Sequence, residues 1–321
     1  MTRKWGDRVK VELLKEVSIN NSSIVSVKKM NHIYELCYLQ HRNQQPHIQL
    51  LDKDNYVLLS TGEVKECKHI DNRSENKLQV SQSLKRLRDY INTNVEDVKK
   101  CKWITLTYKE NMTDTKRLYV DFKNFVKRFK YKYGHFEYIV ACEPQGRGAW
   151  HLHCIIIFKN NAPYIPNNVI WSLWSPEGYK DKLNGGKGYD YVKTQKLDDI
   201  DNIGAYLTAY LGDLDLSSCI ENNIEYREED IKLITEIGNI KLKKPKRFVK
   251  GGRLSMYPPK FNIYRISRGI KKPTKEYFIY HEIKEKAGLG NPTYSKSILL
   301  TDDEKNFSSK ITYEYYNTKR Q

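Results

Sequence analysis

The sequence has no long apolar run, no Cys-x-x-Cys pair and no Gly-x-x-x-x-Gly-Lys-Ser/Thr loop. Each absence removes a class of function. The apolar runs are short, the longest lying around Cys154–Phe158, far below the roughly 20 residues that span a bilayer. The first residues, Met1–Asp7, carry no apolar stretch of the signal-peptide kind. These features predict a cytoplasmic protein with no membrane contact. The six cysteines, Cys37, Cys67, Cys101, Cys142, Cys154 and Cys219, are scattered, which argues against a zinc knuckle and a disulfide framework. Cys142 and Cys154 lie in apolar stretches and read as buried thiols. Gly185–Gly188 has neither the spacing nor the hydroxyl residue of a phosphate-binding loop, so no ATPase or helicase domain is expected.

What is present is charge. Of 321 residues, 39% are hydrophobic and 30% charged, with a net charge of +17 and a pI near 9.3. The hydrophobic content can fill a core. The positive field favours a polyanionic partner. An A/T-rich genome would also enrich Lys, Asn, Ile and Tyr, so the clustering of charge matters more than its sum. Lys116–Lys132 holds seven basic residues and one acidic, and Lys241–Arg253 holds seven basic and none acidic.

Periodicity gives a coarse map. Ile24–Val27, Ile33–Leu39 and His47–Leu51 are predicted strands. Val80, Leu84, Leu87 and Ile91 form the stripe of an amphipathic helix. Trp103–Tyr108 alternates and is rich in β-formers. Leu118, Phe122, Phe125, Val126 and Phe129 mark one side of a helix whose other side carries Lys116, Lys123, Lys127 and Lys130, with Gly134 ending it. Phe136–Glu143 and His151–Phe158 read as strands around a Pro144–Gly148 turn. A helix at Pro166–Trp174, a loop at Asn184–Gly188 and a strand at Tyr189–Gln195 follow. Next comes a helix capped by Asp201, running through Tyr210 and closed by Gly212. This order predicts an α+β domain with an antiparallel sheet. Three segments are expected: 1–98 of unclear role, 99–275 carrying the motifs, and a basic, polar, partly disordered extension at 276–321.

Residues 150–158 read Trp-His-Leu-His-Cys-Ile-Ile-Ile-Phe. Strand side chains repeat with period two, so His151 and His153 share a face, about 7 Å apart. Glu143 and His151 are equidistant from Arg147. A hairpin centred there opposes them, with Cβ atoms about 5 Å apart. Glu143, His151 and His153 then converge as two imidazoles and a carboxylate. Such a set suits Mn²⁺, Fe²⁺ or Zn²⁺, or Mg²⁺ where phosphate and water complete the shell. Three alternatives compete: half-buried strand histidines with no ligand role, a non-haem iron oxygenase site, and structural zinc. The oxygenase patterns place a carboxylate close after the first histidine or after His-x-His, and none follows His153. No fourth zinc ligand is evident.

Tyr206 and Tyr210 are spaced i, i+4 on the later helix, so their phenols share a face about 6 Å apart. Ile203, Leu207 and Leu211 give that helix its core side. Most tyrosines pack, and the chain has 24, so the pair gains meaning only beside the metal set. A tyrosine oxygen can attack a phosphodiester to give a covalent phosphotyrosine. A divalent ion offsets the charge that develops on the phosphate, and a basic, aromatic surface holds the strand.

In order, Ile104–Tyr108 (Ile-Thr-Leu-Thr-Tyr), His151-Leu-His153 and Tyr206–Tyr210 resemble the three motifs of HUH endonucleases. The likeness is to the rolling-circle replication initiators of bacterial plasmids and phages and covers roughly residues 60–275. Glu143 stands where related initiators supply a third ligand. The resemblance implies an RRM-like central antiparallel sheet with N- and C-terminal extensions and a Mn²⁺ or Mg²⁺ cofactor. It implies nicking of single-stranded origin DNA presented in a hairpin, with a 5′-phosphotyrosyl intermediate and a free 3′-OH. Host helicase and polymerase are the implied partners, in the bacterial cytoplasm. One departure stands out. Single-tyrosine initiators carry Tyr-x-x-Lys, whereas position 209 is Ala. Tyr206, first in both the one- and two-tyrosine patterns, is the favoured nucleophile, with Tyr210 a second nucleophile or a packing residue. Lys193 and Lys196 are candidate replacements for the missing lysine. A conjugative relaxase, a single-strand transposase or a non-catalytic DNA-binding regulator are the competing readings. Relaxases carry a three-histidine cluster and often an N-terminal tyrosine, neither of which is present.

Overall fold

A computed structural model describes the chain apart from residues 1–8, 16–17, 43–45, 68, 70–76, 186–190, 196, 198–201, 238–239, 259, 304–305 and 321. It also leaves undescribed some side chains within helices and strands, those of Tyr206, Ala209 and Tyr210 among them. The chain forms two compact units, one of residues 1–69 with 273–321, the other of residues 70–272.

The first unit begins with β1 (Val9–Leu14), β2 (Ile24–Met30) and β3 (Ile33–Leu39). β2 and β3 form a tight hairpin with Met30 paired to Ile33. Asn31 takes the left-handed conformation at φ 57°, which two-residue hairpin turns require and asparagine tolerates. β4 (Ile48–Leu50), β5 (Asn55–Leu58) and β6 (Val64–Glu66) make a small antiparallel sheet.

The second unit starts with α1 (Lys77–Asn94), whose Val80, Leu87 and Ile91 are buried as their spacing predicts. β7 (Cys101–Leu106) leads to α2 (Thr115–Tyr133). Asp114 caps α2, accepting from the backbone N–H groups of Lys116 and Arg117, and Gly134 closes it at φ 78°. β8 (Phe136–Pro144), β9 (Trp150–Phe158), α3 (Asn167–Trp174), α4 (Pro176–Leu183) and β10 (Val192–Gln195) follow. Next is α5 (Ile203–Gly212). Its cap is Asn202, which accepts from Ala205 N–H; the expected cap, Asp201, lies outside the described residues. β11 (Leu214–Asp215), α6 (Leu216–Glu221), β12 (Ile231–Ile237), β13 (Ile240–Val249) and β14 (Tyr264–Ile266) complete the unit.

Its central sheet is antiparallel in the order β10-β7-β9-β8-β14. Both faces carry helices. On one, Ile104, Leu106, Val140, Cys142, Leu152, Cys154 and Ile156 pack against Phe122, Phe125 and Phe129 of α2 and Ile170, Trp171 and Trp174 of α3. On the other, Trp103, Ile139, Ala141 and Ile155 pack against Leu87 and Ile91 of α1 and Ile203, Leu207 and Leu211 of α5. Period two along each strand separates these two cores. The α+β class therefore holds.

The chain then returns to the first unit through β15 (Lys275–Ile279), α7 (Tyr280–Lys286), β16 (Tyr294–Asp302) and β17 (Phe307–Asn317). These strands join the N-terminal ones in a six-stranded sheet, β1-β16-β17-β3-β2-β15. Residues 276–321 are thus strands of a shared sheet rather than a separate, partly disordered extension. Likewise the stretch 1–98 is divided, with α1 in the second unit. The composition misled because the buried side of β17 is built from Thr312, Glu314 and Tyr316 rather than aliphatic residues. Glu314 accepts hydrogen bonds from the hydroxyls of Tyr280, at 3.0 Å, and Tyr316, at 2.5 Å. Satisfied in this way, a carboxylate can be buried. No helix among the described residues is long and apolar enough to cross a membrane.

The docking of α5 on α1 generates a prediction. Gly204 N–H donates to Asn92 Oδ1 at 3.1 Å. A Cβ at Gly204 would lie 2.7 Å from both the Arg88 carbonyl oxygen and Asn92 Oδ1. In an exposed helix, Gly→Ala gains about 1 kcal/mol. Gly204→Ala is expected instead to lose on the order of 1–3 kcal/mol in urea unfolding. A gain in stability would show that the two helices do not touch here.

Candidate metal centre

The site is built by one hairpin. β8 and β9 pair with Glu143 opposite His151 and Ala141 opposite His153, the register expected from the symmetry about Arg147. The turn closes through Gln145 N–H to Ala149 O at 2.8 Å and Gly148 N–H to Gln145 O at 2.8 Å. Gly148 has φ 88°, a conformation that costs glycine little. β7 flanks β9 and places Thr105 opposite His153. Glu143, His151, His153 and Thr105 therefore share one face of the sheet.

The ligand atoms of Glu143, His151 and His153 all lie within 4.8 Å of one another, so the three could hold a metal ion. Glu143 is buried and the two histidines half-buried. His151 Nε2 is buried with no hydrogen-bond partner, a costly state for a polar nitrogen that a bound cation relieves. His153 Nε2 contacts Glu143 Oε2, and its Nδ1 lies 3.3 Å from Thr105 Oγ1. A hydrogen bond on the far ring nitrogen orients a ligating imidazole. The donor set fits a divalent cation and leaves its identity open.

Electrostatics prepare the ligands. Burial lowers the His151 pKa to about 4, against the pull of Glu143, so the ring stays neutral at physiological pH and offers a lone pair. Burial pushes the Glu143 carboxyl up, but the His153 hydrogen bond and the charges of His153 and Arg253 outweigh it and hold the carboxyl below its ordinary value. Arg253 is a member of the site that motif spacing does not mark. Its Nη2 lies 2.6 Å from Glu143 Oε1, its Nε donates to Asp213 O at 2.8 Å, and its Nη1 donates to Pro144 O. Its backbone N–H donates to Gly212 O at 3.2 Å. One side chain thus ties the triad hairpin to the end of α5. Arg253 is 109 residues from Pro144 in sequence, and read from sequence alone it is one cation among the seven of a basic run.

The triad opens into a cleft of about 620 Å³. Lys109, Arg147 and Lys193 supply positive charge there, and Trp103, Tyr108 and Tyr191 supply rings. Lys193, one of the two candidate lysines, lines this cleft; Lys196 lies outside the described residues. Tyr191 stacks on Trp171 with centroids 4.8 Å apart, and Trp103 stands edge-on to His153 at 6.4 Å. α5 packs on the same sheet face through Leu207 and Leu211. Positions 206 and 210 are one turn apart on that helix; their side chains lie outside the described part of the structure. Tyr257 fixes the end of α5 to β8, its hydroxyl lying 3.1 Å from Leu211 O and 3.0 Å from Cys142 O.

Residues 101–215 match a family model described as replication-associated protein of the ORF2 type. The matched segment holds the triad, the cleft strands and α5, and the match is consistent with a replication initiator. No curated protein matches the chain, and no solved structure does.

This geometry makes metal binding and the Arg253 tie separately measurable. A divalent ion that binds the folded triad stabilises the protein by RT ln(1 + [L]/Kd), about 2.7 kcal/mol at a hundredfold excess over Kd. Mn²⁺ is expected to raise the melting temperature, and Glu143→Ala, His151→Ala and His153→Ala each to remove that rise. An equal rise in all three variants would place the ion elsewhere. For the tie, Arg253→Met leaves the buried Glu143 short of a partner and is expected to cost roughly 3–5 kcal/mol. Adding Glu143→Gln to it should recover part of that loss. Strict additivity of the two substitutions in urea unfolding would contradict the coupling.

Proposed function

We propose that the protein is a metal-dependent nickase and strand transferase for single-stranded origin DNA, starting rolling-circle replication through a phosphotyrosine at Tyr206. The observation that carries this reading is the sharing of one sheet face by the His151–His153–Glu143 triad and the tyrosine-bearing helix α5. The family-model match over that same stretch supports it.

The chemistry is a transesterification. The Tyr206 oxygen forms a bond to phosphorus while the bond from phosphorus to the 3′ oxygen breaks. The phenol loses its proton and the 3′ oxygen gains one. One phosphodiester replaces another, so no nucleotide hydrolysis is needed, in keeping with the absence of a phosphate-binding loop. The product is a 5′-phosphotyrosyl strand and a free 3′-OH that can prime synthesis. The reverse step, with a 3′-OH as attacker, rejoins ends.

An unperturbed phenol has a pKa near 10 and needs help at neutral pH. A divalent ion, when bound, withdraws charge from the non-bridging phosphate oxygens and orients the phosphate for in-line attack. Glu143, His151 and His153 hold it, with His151 kept neutral by burial. Arg253 keeps the Glu143 carboxylate ionised and aimed. Lys109, Arg147 and Lys193 offset the charge of the strand in the cleft. Lys193 takes the part left open by Ala209, reaching the cleft from β10 instead of from the helix. Tyr108 and Tyr191 offer faces for unstacked bases.

Tyr206→Phe is expected to abolish the denaturant-stable protein–DNA adduct formed with a labelled origin strand and Mn²⁺, while leaving oligonucleotide affinity unchanged. Tyr210→Phe should retain the first adduct. Cleavage by the wild-type protein with no adduct on any strand would rule out the covalent route.

A further inference from the structure

Helix α2 lies across the face of the central sheet opposite the triad, with Leu118, Phe122, Phe125 and Phe129 buried. Its outer side has no role in the cleft. It carries Lys123, Lys127 and Lys132, all exposed, and none has an ion-pair partner among the described residues. Two hollows run along this side and meet at Lys127. One, of about 380 Å³, is lined by Lys123, Lys127, Tyr119, Tyr138 and Arg265. The other, of about 500 Å³, is lined by Lys127, Tyr131 and Lys132.

Two details set this face apart from an ordinary solvated helix. Arg265 lies 3.4 Å over the ring of Tyr119, which stacks on Phe261 at 5.5 Å. Its Nε is buried with no hydrogen-bond partner. A stacked guanidinium held without a carboxylate is preorganised for an anion. Tyr131 is 96% exposed, an uncommon state for a large ring, and it stands one turn from Lys127.

We propose that this outer side of α2, with Arg265, is a second DNA-binding surface that grips the phosphates of duplex DNA flanking the nicked strand. Charge complementarity names the partner. A convex helical surface offering ammonium, guanidinium and phenol groups meets backbone phosphates rather than base edges. Because α2 and the triad sit on opposite faces of one sheet, this contact adds affinity without occupying the cleft. It rests on DNA being the partner, as proposed above, and not on the nicking chemistry.

The test uses the full chain and a duplex of roughly 20 base pairs and unrelated sequence, titrated by fluorescence anisotropy from about 50 to 200 mM salt. Lys123→Gln/Lys127→Gln is expected to weaken binding at least about tenfold at 0.1 M salt. It should also flatten the log–log salt slope by about 1.8, the value for two lost phosphate contacts at 0.9 each. Arg265→Gln should weaken binding further. The melting temperature and adduct formation on a short single strand should stay at wild-type levels. Unchanged duplex affinity and slope would overturn the surface while leaving the nicking reading intact, as would an equal loss on the short single strand. A wild-type protein that binds neither duplex nor single strand would overturn both.

Discussion

The pairing of β8 with β9 is the constraint on which the site depends. Glu143 faces His151 only because the two strands turn at 145–149 in this register. A slip by one residue would send every side chain of a strand to the other face, burying the histidines among phenylalanines. The opposite face forbids the slip. Val140, Cys142, Leu152 and Cys154 alternate with the polar positions and are packed under α2. The hydrophobic core on one side thus sets the metal geometry on the other. Thr105 from β7 enters on the same terms, since its neighbours Ile104 and Leu106 are fully buried.

A buried carboxylate needs partners, and the chain supplies them from far away. Arg253 binds Glu143 and also the carbonyls of Asp213 and Pro144. It therefore couples the position of the ligand to the end of α5, while Tyr257 bridges the same helix end to β8. At the other end, Gly204 permits α5 to sit directly on α1. The helix that bears Tyr206 and Tyr210 is held at both ends and along its core side by Leu207 and Leu211. A covalent route needs such positioning, because a phosphoryl acceptor must be aligned with the leaving oxygen.

The triad was legible in the sequence because its information is local. Period two, a turn cluster and equal spacing about Arg147 sufficed to pair Glu143 with His151. The helices α1, α2 and α5 were legible for the same reason, each with a clear stripe. Arg253 was not, since nothing near residue 143 in the chain points to it. The joining of residues 276–321 to the N-terminal strands was also hidden. Its partners are long-range, and its buried face uses Glu314 and tyrosine hydroxyls where a pattern search expects aliphatic residues. Lys193 was within reach as a nearby cation, but only the pairing of β10 with β7 puts it in the cleft.

Mass-spectrometric identification of the amino acid bound to DNA tests the central claim most directly. The wild-type protein, incubated with Mn²⁺ and an origin strand and then digested, is predicted to yield a nucleotide-modified peptide from α5 with the phosphate on Tyr206. A modified peptide from any tyrosine outside α5, or a cleaved strand whose 5′ phosphate is free, would contradict it.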